Sequence, residues 1–132
     1  MFYRQFYSEL GKLLFALANV DGIITKKEKE TLHDLVKTEL APAESHTDKF
    51  GTDAAYYTEM EFEILEDNMM DAEQAFDSFL FFIENHPTAI DDRMRIATLK
   101  VAKKLADTYH KNSKKEKEFI KKLEAKLSVL PV

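Results

Sequence analysis

Three oxygen-bearing side chains, Asn19, Asp21 and Glu28, fall within the stretch Asn19-Val20-Asp21-Gly22-Ile23-Ile24-Thr25-Lys26-Lys27-Glu28. Carboxylate and amide oxygens at this spacing suit a hard divalent cation such as calcium, magnesium or manganese, because those ions take oxygen ligands. Laid on a calcium-binding loop of the EF-hand type, Asn19 takes the third position, Asp21 the fifth, Gly22 the sixth and Glu28 the twelfth, where a bidentate carboxylate belongs. The first position falls on Leu17, whose side chain offers no oxygen. Asn19, Asp21, Glu28 and one carbonyl also fall short of the 6 to 8 oxygens that calcium takes, unless water or another segment contributes. A regular EF-hand is therefore not expected, and a weak cation site on Asp21, Glu28 and Asn19 is what remains of that chemistry.

The same residues support a structural reading that needs no ion. Asp21-Gly22 stops a helix, since glycine accepts the left-handed backbone at helix ends. Ile23 and Ile24 pin the turn to a core, and Thr25 with Glu28 forms a capping box in which hydroxyl and carboxylate each satisfy an exposed backbone amide. Other chemistry is scarce. The chain has no cysteine, which removes thiol catalysis and Cys-rich zinc sites. His33, His46, His86 and His110 lack the one-turn pairing of metal-binding helices and are expected on the surface or at caps. No nucleophile elbow, phosphate loop or paired general acid and base occurs at a recognisable spacing, so a non-enzymatic protein is expected.

These residues must be positioned by helices. Phe2, Phe6, Leu10, Leu13, Leu14 and Leu17 recur at spacings of three and four and predict a first helix over about 2–19. A second opens at the Thr25 cap with Leu32, Leu35 and Val36 inward, and residues 41–51 read as a surface loop. A third is expected from Thr52 or Asp53 to about Glu66, with Tyr57, Met60, Ile64 and Leu65 on its inner side. Its alternation of Glu59, Glu61 and Glu63 with Met60, Phe62 and Ile64 also fits a half-buried strand. Asp71 with Gln74 caps a fourth helix, ended by His86-Pro87, whose Ala75, Phe76, Phe79, Leu80, Phe82 and Ile83 wrap so much of its circumference that a central position is expected. That phenylalanine face is expected either to form the core or to build a homodimer. Thr88 with Asp91 starts a fifth helix over about 89–109, and Ser113 with Glu116 a sixth carrying Phe119, Ile120, Leu123 and Leu127. Met60, Met69, Met70 and Met94 are candidates for an adaptable binding surface or for core filling.

Residues 12–36 align without a gap to residues 100–124, with nine of twenty-five positions identical. Lys12/Lys100, Leu17/Leu105, Ala18/Ala106, Glu28/Glu116 and Leu35/Leu123 are among the matches. The expected fold is all-α, a single domain over 1–132: a compact bundle of five to six helices with an internal two-fold repeat of helical hairpins at about 2–39 and 89–127.

The stretch from Leu13 to Glu28, with a helix running into Asp-Gly, a β-branched residue, Thr25 and a glutamate three positions on, resembles the signature of the TerB-like family. The resemblance is close over 10–36, moderate over 96–127 and absent in detail between them. It implies an all-helical fold with an internal repeat, and a scaffold or sensor role in cytoplasmic stress responses of the tellurite-resistance type. It also implies, for some members, divalent-cation binding through acidic residues, which fall here on Asp21 and Glu28. In the second copy Tyr109 and His110 replace Asp21 and Gly22, so only the first copy keeps the acidic pattern.

Charge is unevenly spread. Residues 1–43 are neutral, 44–92 carry −13 and 93–132 carry +8. Such polarity is read either as internal pairing of acidic middle with basic C-terminal helices, or as an acidic surface that docks a basic protein partner. Nucleic acid is not expected, because the basic tract Lys111–Lys122 includes Glu116 and Glu118 and has few stacking aromatics. The longest apolar runs, Leu13–Ala18 and Phe79–Ile83, are six and five residues, far below the roughly 20 that span a bilayer, and a soluble cytoplasmic protein is expected.

Overall fold

Apolar side chains occupy so many consecutive positions at the end of the first helix that it must be covered on several sides at once. The computed structural model describes residues 2–19, 24–40, 57–86, 92–108 and 114–128. These form α1 (Phe2–Ala18), α2 (Lys26–Leu35), a π-helical turn (Val36–Leu40), α3 (Tyr57–Asp67), α4 (Ala72–Asn85), α5 (Asp92–Thr108) and α6 (Lys114–Ser128). Every element among the described residues is thus helical, six α-helices and a π-helical turn, with no strand. Every residue from Leu13 to Ala18 is at most 1% exposed, and α3, α4 and α5 pack on α1. α2 and its π-helical turn lie against α5, and α6 packs on α4 and α5. The expected helix start at Thr52 or Asp53, the 41–51 loop, the Asp21-Gly22 stop, Pro87, the Thr88 and Ser113 caps, Tyr109, His46 and His110 lie outside the described residues.

The central helix is therefore α1 and not α4. α4 buries Ala75, Phe76, Phe79, Phe82 and Ile83 but leaves Phe81 67% exposed, so its apolar surface covers one side only. α1 is central because Tyr7, Phe15, Ala16 and Ala18, all outside the predicted stripe, are buried as well. The expected inner side of α3 is also corrected. Leu65 is buried and Tyr57 packs on the core as expected, but Met60 and Ile64 are 54% and 50% exposed, and Thr58 and Phe62 face inward instead. The cause lies on α1. At Gly11 the two helices approach so closely that an added Cβ would stand 2.7 Å from the Thr58 carbonyl oxygen and 2.8 Å from Glu61 Cβ. Thr58 fits this seam, its buried hydroxyl donating to the Tyr7 carbonyl at 3.0 Å, and Phe62 sets its ring edge-on to Phe15 with centroids 5.9 Å apart.

Five apolar positions shared by the two repeats match in burial. Leu13/Val101, Leu14/Ala102, Leu17/Leu105, Ala18/Ala106 and Leu35/Leu123 are buried in both copies. The copies part where Phe15 and Ala16 are replaced by the exposed Lys103 and Lys104. That difference matches their neighbours: Phe15 packs on Phe62 of α3, whereas Lys103 and Lys104 pair with Glu124 and Glu39 at the surface.

Candidate functional site

The turn into α2 has the predicted geometry on its second half. Thr25 has extended backbone; its Oγ1 accepts from the Glu28 N–H at 3.2 Å, and its own N–H donates to Glu28 Oε1 at 2.5 Å. Glu28 is 1% exposed, so this carboxylate is enclosed at the head of the helix, where the positive end of the helix dipole also favours it. Replacing Thr25 by alanine is expected to cost about 1 kcal/mol, read as a lower urea midpoint at unchanged slope.

Asp21 and Gly22 lie outside the described residues. Asn19, half-buried at the end of α1, donates from Nδ2 to the Met70 carbonyl at 3.4 Å and so ties α1 to the turn after α3. In that turn Met69 has left-handed backbone (φ 55), with Met69 and Met70 N–H groups donating to the Glu66 and Leu65 carbonyls. Phe15, Asn19, Ile24, Glu66 and Met69 line a hollow of about 270 Å³ beside the capping box. Glu66 is engaged by Lys29 at 2.8 Å. Among the described residues no three His, Asp or Glu side chains come together as a metal-binding group. The described donors, a capping Glu28 and an Asn19 amide turned to Met70, do not by themselves make the oxygen shell a divalent cation takes.

The structure brings together what the sequence left apart, a set of polar contacts between helices. Lys29 meets Glu66 and His33 Nδ1 lies 2.9 Å from Glu59, joining α2 to α3 along an open groove lined also by Lys26, Glu30 and Asp34. Lys115 meets Glu73 at 2.8 Å and Lys126 meets Glu84, joining α6 to α4. The acidic middle is therefore partly neutralised from within. Glu63, Asp67 and Asp77 are exposed and form no ion pair among the described residues. Between α1 and α4, the Ser78 hydroxyl donates to Glu9 Oε1 at 2.8 Å while Lys12 Nζ meets Glu9 Oε2 at 2.9 Å. Glu9 is only 8% exposed, and the one sequence signal for this cluster was a Glu-Lys pair three residues apart beside the apolar stripe. Of the histidines, His33 is exposed on Glu59, and His86 caps α4 with its ring 4.8 Å from Phe82. Of the methionines, Met94 is buried and Met70 packs on the core, whereas Met60 and Met69 are exposed.

Glu39, in the π-helical turn, faces Lys100 at 3.0 Å and Lys104 at 3.3 Å on α5. The hydrogen bond from Lys100, with help from Lys104, holds its carboxyl below the ordinary value of 4.5 against the opposing effect of burial. A carboxyl with a depressed folded-state pKa stabilises the fold fully above the unfolded value and loses that contribution as pH falls through the folded one. The stability gap between wild type and Glu39→Gln, on the order of a few tenths of a kcal/mol, is expected to hold above pH 4.5 and to shrink below it in urea titrations.

No family model matches the chain, and no curated protein or solved structure matches it. The described residues form an all-helical bundle in which no helix is long and apolar enough to cross a membrane.

Proposed function

We propose that the chain is a non-enzymatic helical module of the TerB-like kind, acting through protein contacts as a scaffold or sensor in a cytoplasmic stress-response pathway of the tellurite-resistance type. The observation that carries this is the capping box at the head of α2. The box formed by Thr25 and Glu28, opening α2 a few residues beyond the Ala18 end of α1, stands on the residues that bear the family resemblance. Asp21 and Glu28, with Asn19, are the residues through which a divalent cation would modulate such a module. Calcium, magnesium and manganese titrations followed by amide NMR test that part. Shifts confined to residues 19–28 at up to millimolar metal support it, and no shifts there remove it. Affinity capture of a partner from cells, lost on chelation, supports a metal-dependent sensor.

A second reading has its own support. Because Glu59, Glu66, Glu73 and Glu84 are engaged internally while Glu63, Asp67 and Asp77 remain exposed without an ion pair among the described residues, part of the acidic middle stays available to a basic partner. The Asp-Gly turn is then a fold element only. Capture that survives chelator and weakens as salt rises separates this reading from the first.

A further inference from the structure

We infer that the outward face of α3 is the docking surface for a cationic amphipathic helix of a partner protein, an inference that rests on the acidic-surface reading just given. The sides of α3 have separate uses. Thr58, Phe62 and Leu65 enter the core, and Glu59 and Glu66 on the edge toward α2 pair with His33 and Lys29. The remaining face carries two parallel rows. Met60 and Ile64, one turn apart, are 54% and 50% exposed. Beside them Glu63 and Asp67, also one turn apart, are exposed and form no ion pair among the described residues. Residues four apart lie above one another on a helix, so the face offers an apolar row flanked by an acidic row over about 10 Å. A single exposed apolar residue is ordinary; an apolar pair set beside an unengaged acidic pair has a definite complement. Methionine suits such a surface because its flexible thioether fits varied neighbours.

Charge and apolarity together select the occupant. Segment 41–56 of this chain has Glu44, Asp48 and Asp53 against Lys49, the wrong sign. A second copy offers exposed Lys114, Lys117, Lys121 and Lys122 on α6, but the apolar side of that helix, Phe119, Leu123 and Leu127, is spent in its own core. It would meet the carboxylates and leave Met60 and Ile64 uncovered. A separate helix with a leucine or valine row next to a lysine or arginine row answers both, laying its stripe along α3 by the usual spacing of three and four.

The probe is a synthetic helix of about 16 residues, leucine on one face and lysine on the other, compared with a peptide of the same composition in scrambled order. Each is titrated into the full chain at low salt. The expected result is amide NMR shifts centred on residues 59–68, affinity at least tenfold weaker for the scrambled peptide, and a loss of at least tenfold in both Glu63→Lys/Asp67→Lys and Met60→Ser/Ile64→Ser. All four positions are exposed, and unchanged circular dichroism verifies that the variants fold. Shifts centred on Asp77 or on another helix, or unchanged affinity in either double variant, overturn the assignment. So does concentration-dependent self-association that Glu63→Lys/Asp67→Lys abolishes and the peptide cannot compete with, which gives the face to a second copy. Salt-sensitive capture from cells that persists in both double variants overturns the α3 assignment while leaving the acidic-surface reading intact. Absence of any salt-sensitive capture by the wild-type chain removes both.

Discussion

Replacing Gly11 by leucine is expected to unseat α3 and to lower the thermal midpoint by roughly 10 °C or more. The argument begins with space. A β-carbon at residue 11 would lie 2.7 Å from the Thr58 carbonyl oxygen, and backbone cannot swing aside as a side-chain tip can. α3 would have to retreat, which strains the buried hydrogen bond from Thr58 to the Tyr7 carbonyl and draws Phe62 off Phe15. A buried polar group left unsatisfied costs about 1–3 kcal/mol and overpacking typically another 1–3. Alanine at the same position is a sharper test of sign. In an exposed helix interior Gly→Ala stabilises by about 0.5–1 kcal/mol, so a net loss of about 1 kcal/mol or more in Gly11→Ala would isolate the steric cost. Urea unfolding of both variants checks this. A neutral or stabilised alanine variant, with leucine costing less than about 1 kcal/mol, would mean that α1 and α3 slide apart freely and that the seam does not orient α3.

That seam also explains where sequence reasoning succeeded and where it failed. Helix ends defined by neighbours in the chain were legible: the box at Thr25 with Glu28 formed, and Asp71 caps α4 by accepting from the Gln74 N–H, because every atom involved lies within four residues. The stripe on α1 was legible in part, since Phe6, Leu10, Leu13, Leu14 and Leu17 are buried as periodicity requires. The burial of Tyr7 and Phe15 was not, because it depends on a third helix arriving at Gly11. The inner side of α3 was legible only in part for the same reason: Leu65 is buried and Tyr57 packs on the core as expected, whereas Met60 and Ile64 face out and Thr58 and Phe62 face in. Its own residues leave the exact orientation open, and the close approach at the small residue on α1 settles it. The candidate site divides likewise. Thr25 and Glu28 could be read locally, whereas the hold of Asn19 on Met70, 51 residues away, and the pairing of Glu59 and Glu66 with α2 could not. What distinguishes the exposed Glu63 and Asp67 from the engaged Glu59 and Glu66 is thus a property of the packed helices, not of an acidic run.

Truncating Phe76 or Phe119 to alanine is the second change with a large expected effect, and it decides how α6 is held. The two rings stack at 4.2 Å between centroids with planes 3° apart, and both residues are buried. Around them Lys115–Glu73 and Lys126–Glu84 bridge the same two helices at the surface. From the sequence, the opposite charges of the middle and C-terminal segments look like the tie. Magnitudes favour the rings. Exposed ion pairs contribute about 0–1 kcal/mol each, whereas Phe→Ala in a core costs about 3–5 kcal/mol. Each single alanine variant is therefore expected to lose several kcal/mol, and the Phe76→Ala/Phe119→Ala double variant to lose less than the sum by about 0.5–1.5 kcal/mol, the coupling of an aromatic pair. Neutralising Glu73 and Glu84 together by glutamine should cost under about 2 kcal/mol and should do so less at high salt. Denaturant titrations of the full cycle measure all of these on one scale. Additivity of the two phenylalanine truncations, combined with a loss in Glu73→Gln/Glu84→Gln as large as either, would reverse the assignment and make charge the tie that fastens α6 to α4.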